Sequence, residues 1–215
     1  RELTMPQRIQ QIQSIVAQRG IEHLVHFTRV DNLASIMQNG IIPIANTAQN
    51  QINPVINDPY RWDGHTNASC LSITRPNHHM FYRLRCDNPQ TEWVVLLLRP
   101  ALLWEKPCAF CCHNAADGTM SSQPLEQLQD TAALSGMFDE MPALQTRQEQ
   151  RLLPYDTTDA QAEVLVFDTI EPHYIVGAAF CKQAVKADYE NLLLGRNVCL
   201  NQVGGGFFAS RSFVR

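Results

Sequence analysis

The sequence predicts an α+β fold in one domain spanning residues 1–215. Three observations carry that expectation. Apolar or alternating runs of strand length recur along the chain, capped amphipathic segments separate them, and no repeat or linker-like break divides the 215 residues. With 45% hydrophobic and 18% charged residues, the chain has ample material for a core and too little charge for a disordered polyelectrolyte. Its longest apolar run, at 93–98, is far short of a membrane span. The start of the sequence lacks the basic, apolar, small-residue pattern of an export signal, and seven cysteines, an odd number, suit reduced thiols in the cytoplasm.

Each element has its own local reason. Residues 4–19 read as a helix: Thr4 caps it, Pro6 fits the first turn, Ile9, Ile12, Ile15 and Val16 form the apolar stripe, and Gly20 ends it. Residues 21–28 alternate as a strand with Leu24, His26 and Thr28 on one side. Asp31 is expected to cap a second helix running through Met37, with Gly40 just past its end. Residues 46–66 are polar, contain Pro54, Pro59 and Gly64, and exceed a normal connector, which marks a functional loop. Residues 69–73 read as a buried strand, with Thr74 capping a helix that holds Pro76 in its first turn and runs to Arg85. The near-continuous apolar run 93–98 is a central strand. After an acidic, irregular stretch with a helix near 125–134 come strands at 161–167 and 174–180, then a helix over 184–194 ended by Gly195.

The net charge of −4 argues against binding nucleic acid by bulk charge alone. Its distribution says more: net +2 over 1–100, −8 over 101–185, and +2 over 186–215. A polyanion meets the outer thirds and is repelled by the middle. The basic residues are mostly arginines, which suit forked pairing with carboxylate or phosphate. The run Cys108-Ala-Phe-Cys111-Cys112-His113 has soft ligands at zinc-like spacing but lacks a second distant pair. Buried thiols on a short apolar strand explain it better, and no metal is expected.

Four places carry candidate chemistry. His26-Phe27-Thr28 followed by Asp31-Asn32 puts polar groups where a strand meets a helix N-terminus, a junction with free N–H donors, although a capped helix and a core histidine read the same way. Tyr60-Arg61-Trp62-Asp63 sets an arginine between aromatics, able to clamp a pyrophosphate or simply to decorate a loop. On the helix after Thr74, His78, Tyr82 and Arg85 form one stripe and Arg75, His79 and Arg83 its neighbour, a basic and aromatic face that suits a nucleic-acid strand or plain solvent. Glu163 opens a Val/Leu-rich strand, where partial desolvation would raise its pKa for acid–base work, unless it faces water at a strand edge.

Taken in order, these pieces resemble the DarT family of nucleic-acid ADP-ribosyltransferase toxins. His26-Phe-Thr-Arg-Val-Asp-Asn-Leu33 matches the family's His-x-Thr-x-x-Asp-Asn-Leu opening. Ser72-Ile-Thr-Arg-Pro-Asn77 followed by Met80-Phe-Tyr82 resembles its central strand-to-helix motif, and Gln161-Ala-Glu163-Val-Leu-Val166 the strand with the catalytic glutamate. The segment 207–215 resembles its closing strand. The likeness covers residues 22–215 and implies that the first helix is an N-terminal extension over residues 1–20. It implies an ADP-ribosyltransferase-like split β-sandwich with surrounding short helices and with NAD, the co-substrate, between two small sheets. It implies that His26, Phe27 and Thr28 hold the nicotinamide end with Ser35 nearby, that Arg61 is the loop arginine contacting NAD and assisting base activation, and that Glu163 is catalytic. The strand of DNA would cross Arg75, His78, His79, Tyr82 and Arg83, with Tyr155 stacking.

The implied reaction moves ADP-ribose from NAD to a nucleobase of single-stranded DNA and releases nicotinamide. Leaving-group loss creates an oxocarbenium-like centre, so a carboxylate beside the ribose stabilises it. The Arg-Pro-Asn-His-His run at 75–79 and the Cys-rich segment depart from the thymidine-modifying branch and leave the base open. RNA is the alternative target, and a silent NAD- or nucleic-acid-binding module the alternative role. A toxin of this kind implies a macrodomain antitoxin partner; a monomer is expected, and the short apolar runs predict no membrane association.

Overall fold

The computed structural model describes residues 4–51, 53–55, 64–202 and 204–211. Among them the strands are β1 (Leu24–Arg29), β2 (Ser69–Ile73), β3 (Trp93–Leu98), β4 (Cys108–Cys111), β5 (Glu163–Val166), β6 (Ile175–Phe180) and β7 (Asn197–Leu200), of which β3 and β5 are the Val- and Leu-rich runs. They lie in one open, mixed sheet in the order β4-β5-β2-β1-β3-β6-β7. Every described neighbour pair is antiparallel except β6–β7.

The ladder is uneven. β1 pairs with β3 along its whole length, from Leu24↔Leu98 to Arg29↔Trp93. β2 pairs with β5 from Ser69↔Val166 to Leu71↔Val164. Between these halves, β1 and β2 meet only at Leu24↔Ile73 and Val25↔Ser72. Beyond that seam, His26–Arg29 and Ser69–Leu71 keep their other partners but not each other. The sheet is therefore split, as the family resemblance implies, and the split opens at His26.

The helices are α1 (Met5–Arg19), α2 (Leu33–Asn39), α3 (Ile44–Thr47), α4 (His78–Asp87), α5 (Leu102–Glu105), α6 (Gly118–Ser121), α7 (Leu125–Leu128), α8 (Thr131–Gly136) and α9 (Gln183–Tyr189). Alternation divides the strands between faces. Val94, Leu96 and Leu98 of β3 enter the main core with Leu24, Leu71, Val164 and Val166, and Ile12 and Val16 of α1 join them. Trp93 and Val95 pack on the other side with Phe81 of α4 and Phe208. A smaller cluster of Ala109, Cys111, Leu165 and Met120 covers β4–β5. No helix among the described residues is long and apolar enough to cross a membrane.

Several boundaries differ from the sequence reading. Asp31 sits inside a 3₁₀ turn over Val30–Asn32 rather than capping α2 with its side chain. The helix expected at 125–134 is two helices, α7 and α8, broken at Gln129–Asp130, where Asp130 takes an extended conformation. The helix expected at 184–194 ends at Tyr189 and continues as a 3₁₀ turn. The strand expected at 207–215 is, where described, a 3₁₀ turn over Gly206–Phe208. β7 was not foreseen. It lies so close to β6 that a Cβ at Gly177 would come within 2.7 Å of the Asn197 carbonyl oxygen, so this pairing requires glycine.

Candidate active site

Where the sheet splits, a cleft of about 450 Å³ opens. It is lined by His26, Phe27 and Thr28 of β1, Asn32, Ser35 of α2, Pro54 and Val55 of the long loop, Asn77 and Met80, Asn114 and Ala116, and Glu163 of β5. Residues that lie far apart in sequence thus share one wall-to-wall space. Strand ends with unpaired backbone are a natural place for a ligand, because the groups freed by the split need partners.

His26 answers that need first. Its Nδ1–H donates to the Cys70 carbonyl on β2 at 2.9 Å, just past the last β1–β2 backbone pair. A carbonyl only accepts, so Nδ1 carries the proton and Nε2 of the neutral ring is an acceptor. Burial pushes the imidazole pKa below its ordinary 6.5, partly offset by the Cys70 contact, and keeps the ring neutral at pH 7. Thr28 is 4% exposed, and its Oγ1 accepts from Asn32 Nδ2 at 3.0 Å, leaving its own O–H to donate. Asn32 also grips the loop: Nδ2 donates to the Val55 carbonyl at 3.1 Å, and Oδ1 accepts from the Val55 N–H at 2.8 Å. Ser35 lines the cleft and accepts from Asn39 Nδ2 at 3.3 Å.

Glu163 is 7% exposed at the start of β5, and its Oε2 accepts from the Ala115 N–H at 2.7 Å. The sequence reading of a buried carboxylate rather than a solvent-facing edge residue is the arrangement found. Glu163, His26, Phe27, Thr28 and Ser35 all come together in the cleft. Arg61, with Tyr60, Trp62 and Asp63, lies outside the described residues.

The α4 region is less uniform than its sequence suggests. Thr74 does not cap the helix. It has φ +62°, rare for a β-branched residue, and lies at the centre of a tight turn closed by the Arg75 N–H on the Ile73 carbonyl at 2.6 Å. Asn77 is the cap, its side chain accepting from the Met80 N–H at 3.1 Å. Arg75 consequently sits before the helix and not on its stripe: its Nε pairs with Asp156 Oδ1 at 3.3 Å, with side chains 14% and 1% exposed. Its ion pair with a buried carboxylate corrects the reading of Arg75 as an open phosphate contact. Arg85 also turns inward, over the Phe81 ring at 4.7 Å and onto the Phe208 carbonyl at 3.0 Å. His79, Tyr82 and Arg83 stay exposed, while His78 is half-buried, its pKa driven down to about 4 by burial, His79 and Arg211. Tyr155 is half-buried against the main core.

The sequence reading missed two partners, the Cys70 carbonyl and the Ala115 N–H, and named Asn32 without its contact to Thr28. Asn32 alone carried a signal, as an amide beside a strand-to-helix junction. Among the described residues no three His, Cys, Asp or Glu side chains converge to hold a metal, and His113 pairs instead with Asp159, Nδ1 to Oδ2 at 2.7 Å.

The sequence profile of the family described as "ssDNA thymidine ADP-ribosyltransferase, DarT" matches residues 25–204, most of the chain. The chain belongs to the DarT family. Its members are NAD-dependent ADP-ribosyltransferases acting on single-stranded DNA, with NAD as co-substrate. DarT structures share the fold. Thermosipho africanus DarTG in complex with ADP-ribose is similar at TM-score 0.57 and 17% identity, over 87% of this chain and 51% of that one, so this chain spans about half its length. Thermus sp. 2.9 DarT in complex with NAD+ is similar at TM-score 0.53 and 15% identity, over 85% and 96%. The same Thermus DarT with ADP-ribosylated ssDNA gives TM-score 0.56 and 14% identity, over 85% and 95%. No curated protein matches the chain in sequence. The DarT profile begins at Val25 and leaves α1 outside, although Ile12 and Val16 of that helix are buried in the main core.

Proposed function

We propose that this chain transfers ADP-ribose from NAD to thymidine in single-stranded DNA and releases nicotinamide, with Glu163 as the catalytic carboxylate. The observation that carries the reading is that His26, Thr28 and Glu163 line one cleft at the split of the sheet. The cleft suits a dinucleotide. It is of ligand-holding size, its walls mix Phe27, Ile36, Ile41 and Leu71 with a few polar groups, and those groups include a fixed acceptor and a fixed donor two residues apart on β1.

NAD supplies the ADP-ribosyl group on loss of nicotinamide, and positive charge builds at the ribose as that bond breaks. Glu163 supplies a negative charge to the cleft from a side chain that is itself buried. The Ala115 N–H holds one of its oxygens, which limits the rotations open to the carboxylate. His26 and Thr28 orient the nicotinamide end, with Phe27 as an apolar wall beside it and Ser35 nearby. Arg61 assists from the loop by contacting NAD and activating the base. Holding thymine in line with the ribose supplies much of the rate, because the base is a poor nucleophile until its proton leaves. Glu163 takes that proton as the base nitrogen attacks.

His79, Tyr82 and Arg83 on α4, beside His78 and with Tyr155 at the neighbouring loop, offer rings and cations to a short single strand, and the modest charge suits an enzyme that holds few nucleotides. The family supports a toxin role with a macrodomain antitoxin that neutralises the protein or removes the mark, and the chain acts as a monomer. Nucleoside mass spectrometry after incubating DNA and RNA oligomers with the protein and NAD tests the reading. An ADP-ribosyl adduct on thymidine from single-stranded DNA is expected. An adduct confined to RNA, or NAD turnover without any nucleic-acid product, would overturn it.

A further inference from the structure

We propose that His113 and Asp159 form a positioning pair that fixes the Glu163 carboxylate by bracing the turn that follows β4. The inference rests on the reading of Glu163 given above. The last β4–β5 pair is Cys111↔Glu163, so the ladder stops at the level of the glutamate. From there the chain turns on itself. Asn114 Oδ1 accepts from the Ala116 N–H at 3.0 Å, and the Asn114 carbonyl accepts from the Asp117 N–H at 2.9 Å. That turn points the Ala115 N–H back at Glu163 Oε2, 2.7 Å away.

Among the described residues no backbone ladder holds this turn against β5; Ala115 and Met120 pack with Leu165, and a polar contact adds to that packing. The His113 Nδ1–H donates to Asp159 Oδ2 at 2.7 Å. Asp159 is itself pinned at the entrance to β5: Oδ1 accepts from the Gln161 N–H at 2.8 Å, and its carbonyl accepts from Thr157 Oγ1 at 2.8 Å and the Ala162 N–H at 3.2 Å. Two contacts, His113–Asp159 and Ala115–Glu163, thus join 113–115 to 159–163 and close a ring that contains the glutamate. The histidine of the Cys-rich run therefore serves a carboxylate. Opening the ring at His113 leaves the turn held to β5 by the Ala115–Glu163 contact itself and by the packing of Ala115 with Leu165, without the polar tie that sets its position along the strand. A misplacement of about 1 Å in a reacting geometry lowers rate by up to about 100-fold.

The test uses the full chain as His113→Ala and His113→Gln, the glutamine keeping an N–H that can donate to Asp159. Two readouts are followed: exchange of the Ala115 amide hydrogen, and kcat and NAD KM for transfer to DNA. Bracing predicts about 10-fold or faster Ala115 exchange in the alanine variant, kcat down about 10- to 100-fold with NAD KM within about twofold, and recovery of both in the glutamine variant. Unchanged exchange or kcat in His113→Ala, a KM that rises with the fall in kcat, or no recovery with glutamine overturns the proposal. If exchange behaves as expected while Glu163→Gln stays fully active, the brace stands and the catalytic assignment of Glu163 falls.

Discussion

The cleft and the outer face of α4 handle their polar groups in opposite ways. In the cleft each one is tied: His26 to the Cys70 carbonyl, Thr28 to Asn32, and Glu163 to the Ala115 N–H. On α4, Tyr82 is 64% exposed, and His79 and Arg83 beside it are exposed too. The anchored side of that helix is apolar, with Phe81 stacked on Phe27 at 4.4 Å and Arg85 folded over it. The difference follows from what each partner demands. Breaking a glycosidic bond rewards groups held in place before the substrate arrives, whereas a single strand of nucleic acid rewards side chains that can follow a flexible polymer. Arg75, though adjacent to α4 in sequence, belongs with the tied groups.

Substitutions in the two regions should therefore fail differently. The largest effect falls on Glu163→Gln, which keeps the shape and removes the charge: transfer to DNA in single-turnover assays should drop about 1,000-fold while NAD still binds. His26→Ala comes next. It removes the fixed acceptor and the contact to the Cys70 carbonyl, and NAD KM should rise about 10-fold in steady-state assays. The same histidine sets a pH dependence. Its pKa is lowered in the folded protein, so the unfolded chain takes up the proton more readily. Its contribution to stability is full above about 6.5 and is lost as the pH falls toward the depressed folded value, with NAD affinity falling alongside as Nε2 stops accepting. Thermal melts and NAD titrations between pH 7 and 5, compared with His26→Ala, read this apart from His23 and His78, whose pKa values burial also lowers. A smaller effect is expected of Tyr82→Ala with Arg83→Ala, which should weaken DNA binding about 5-fold, less at high salt, and leave NAD binding unchanged. Arg75→Ala should change DNA affinity least, by under about twofold, yet lower stability by about 2 kcal/mol in denaturant unfolding, because the Arg75 charge is lost beside a buried Asp156 carboxylate that keeps the Leu153 N–H. An Arg75 variant that lost DNA binding but not stability would erase the distinction between the regions.

The parts of this fold legible in the sequence are those set by local pattern. Ser69–Ile73 and Trp93–Leu98 appear where their β-branched and leucine runs place them. The misread parts depend on contacts between distant segments. At Thr74 the chain adopts a left-handed turn that threonine rarely takes, held by the Thr74 N–H on the His23 carbonyl and by a His23 Nε2 contact to the Thr74 carbonyl, so the cap moves to Asn77. No pattern within 74–85 announces that. β7 escaped notice because its stability comes from parallel pairing with β6 and from a side-chain-free Gly177, not from an apolar run of its own. The site divides in the same way. His26, Thr28 and Glu163 were legible as residue types at strand ends, whereas the Ala115 N–H and the Cys70 carbonyl are backbone groups whose identity no sequence displays.

A crystal structure of Glu163→Gln soaked with NAD, which binds without turning over, tests the central claim most directly. The nicotinamide–ribose bond should lie beside residue 163, with the pyridine ring against Phe27 and within reach of His26 and Thr28. NAD seated outside the split between β1 and β2, or bound there with its ribose remote from residue 163, would contradict the account.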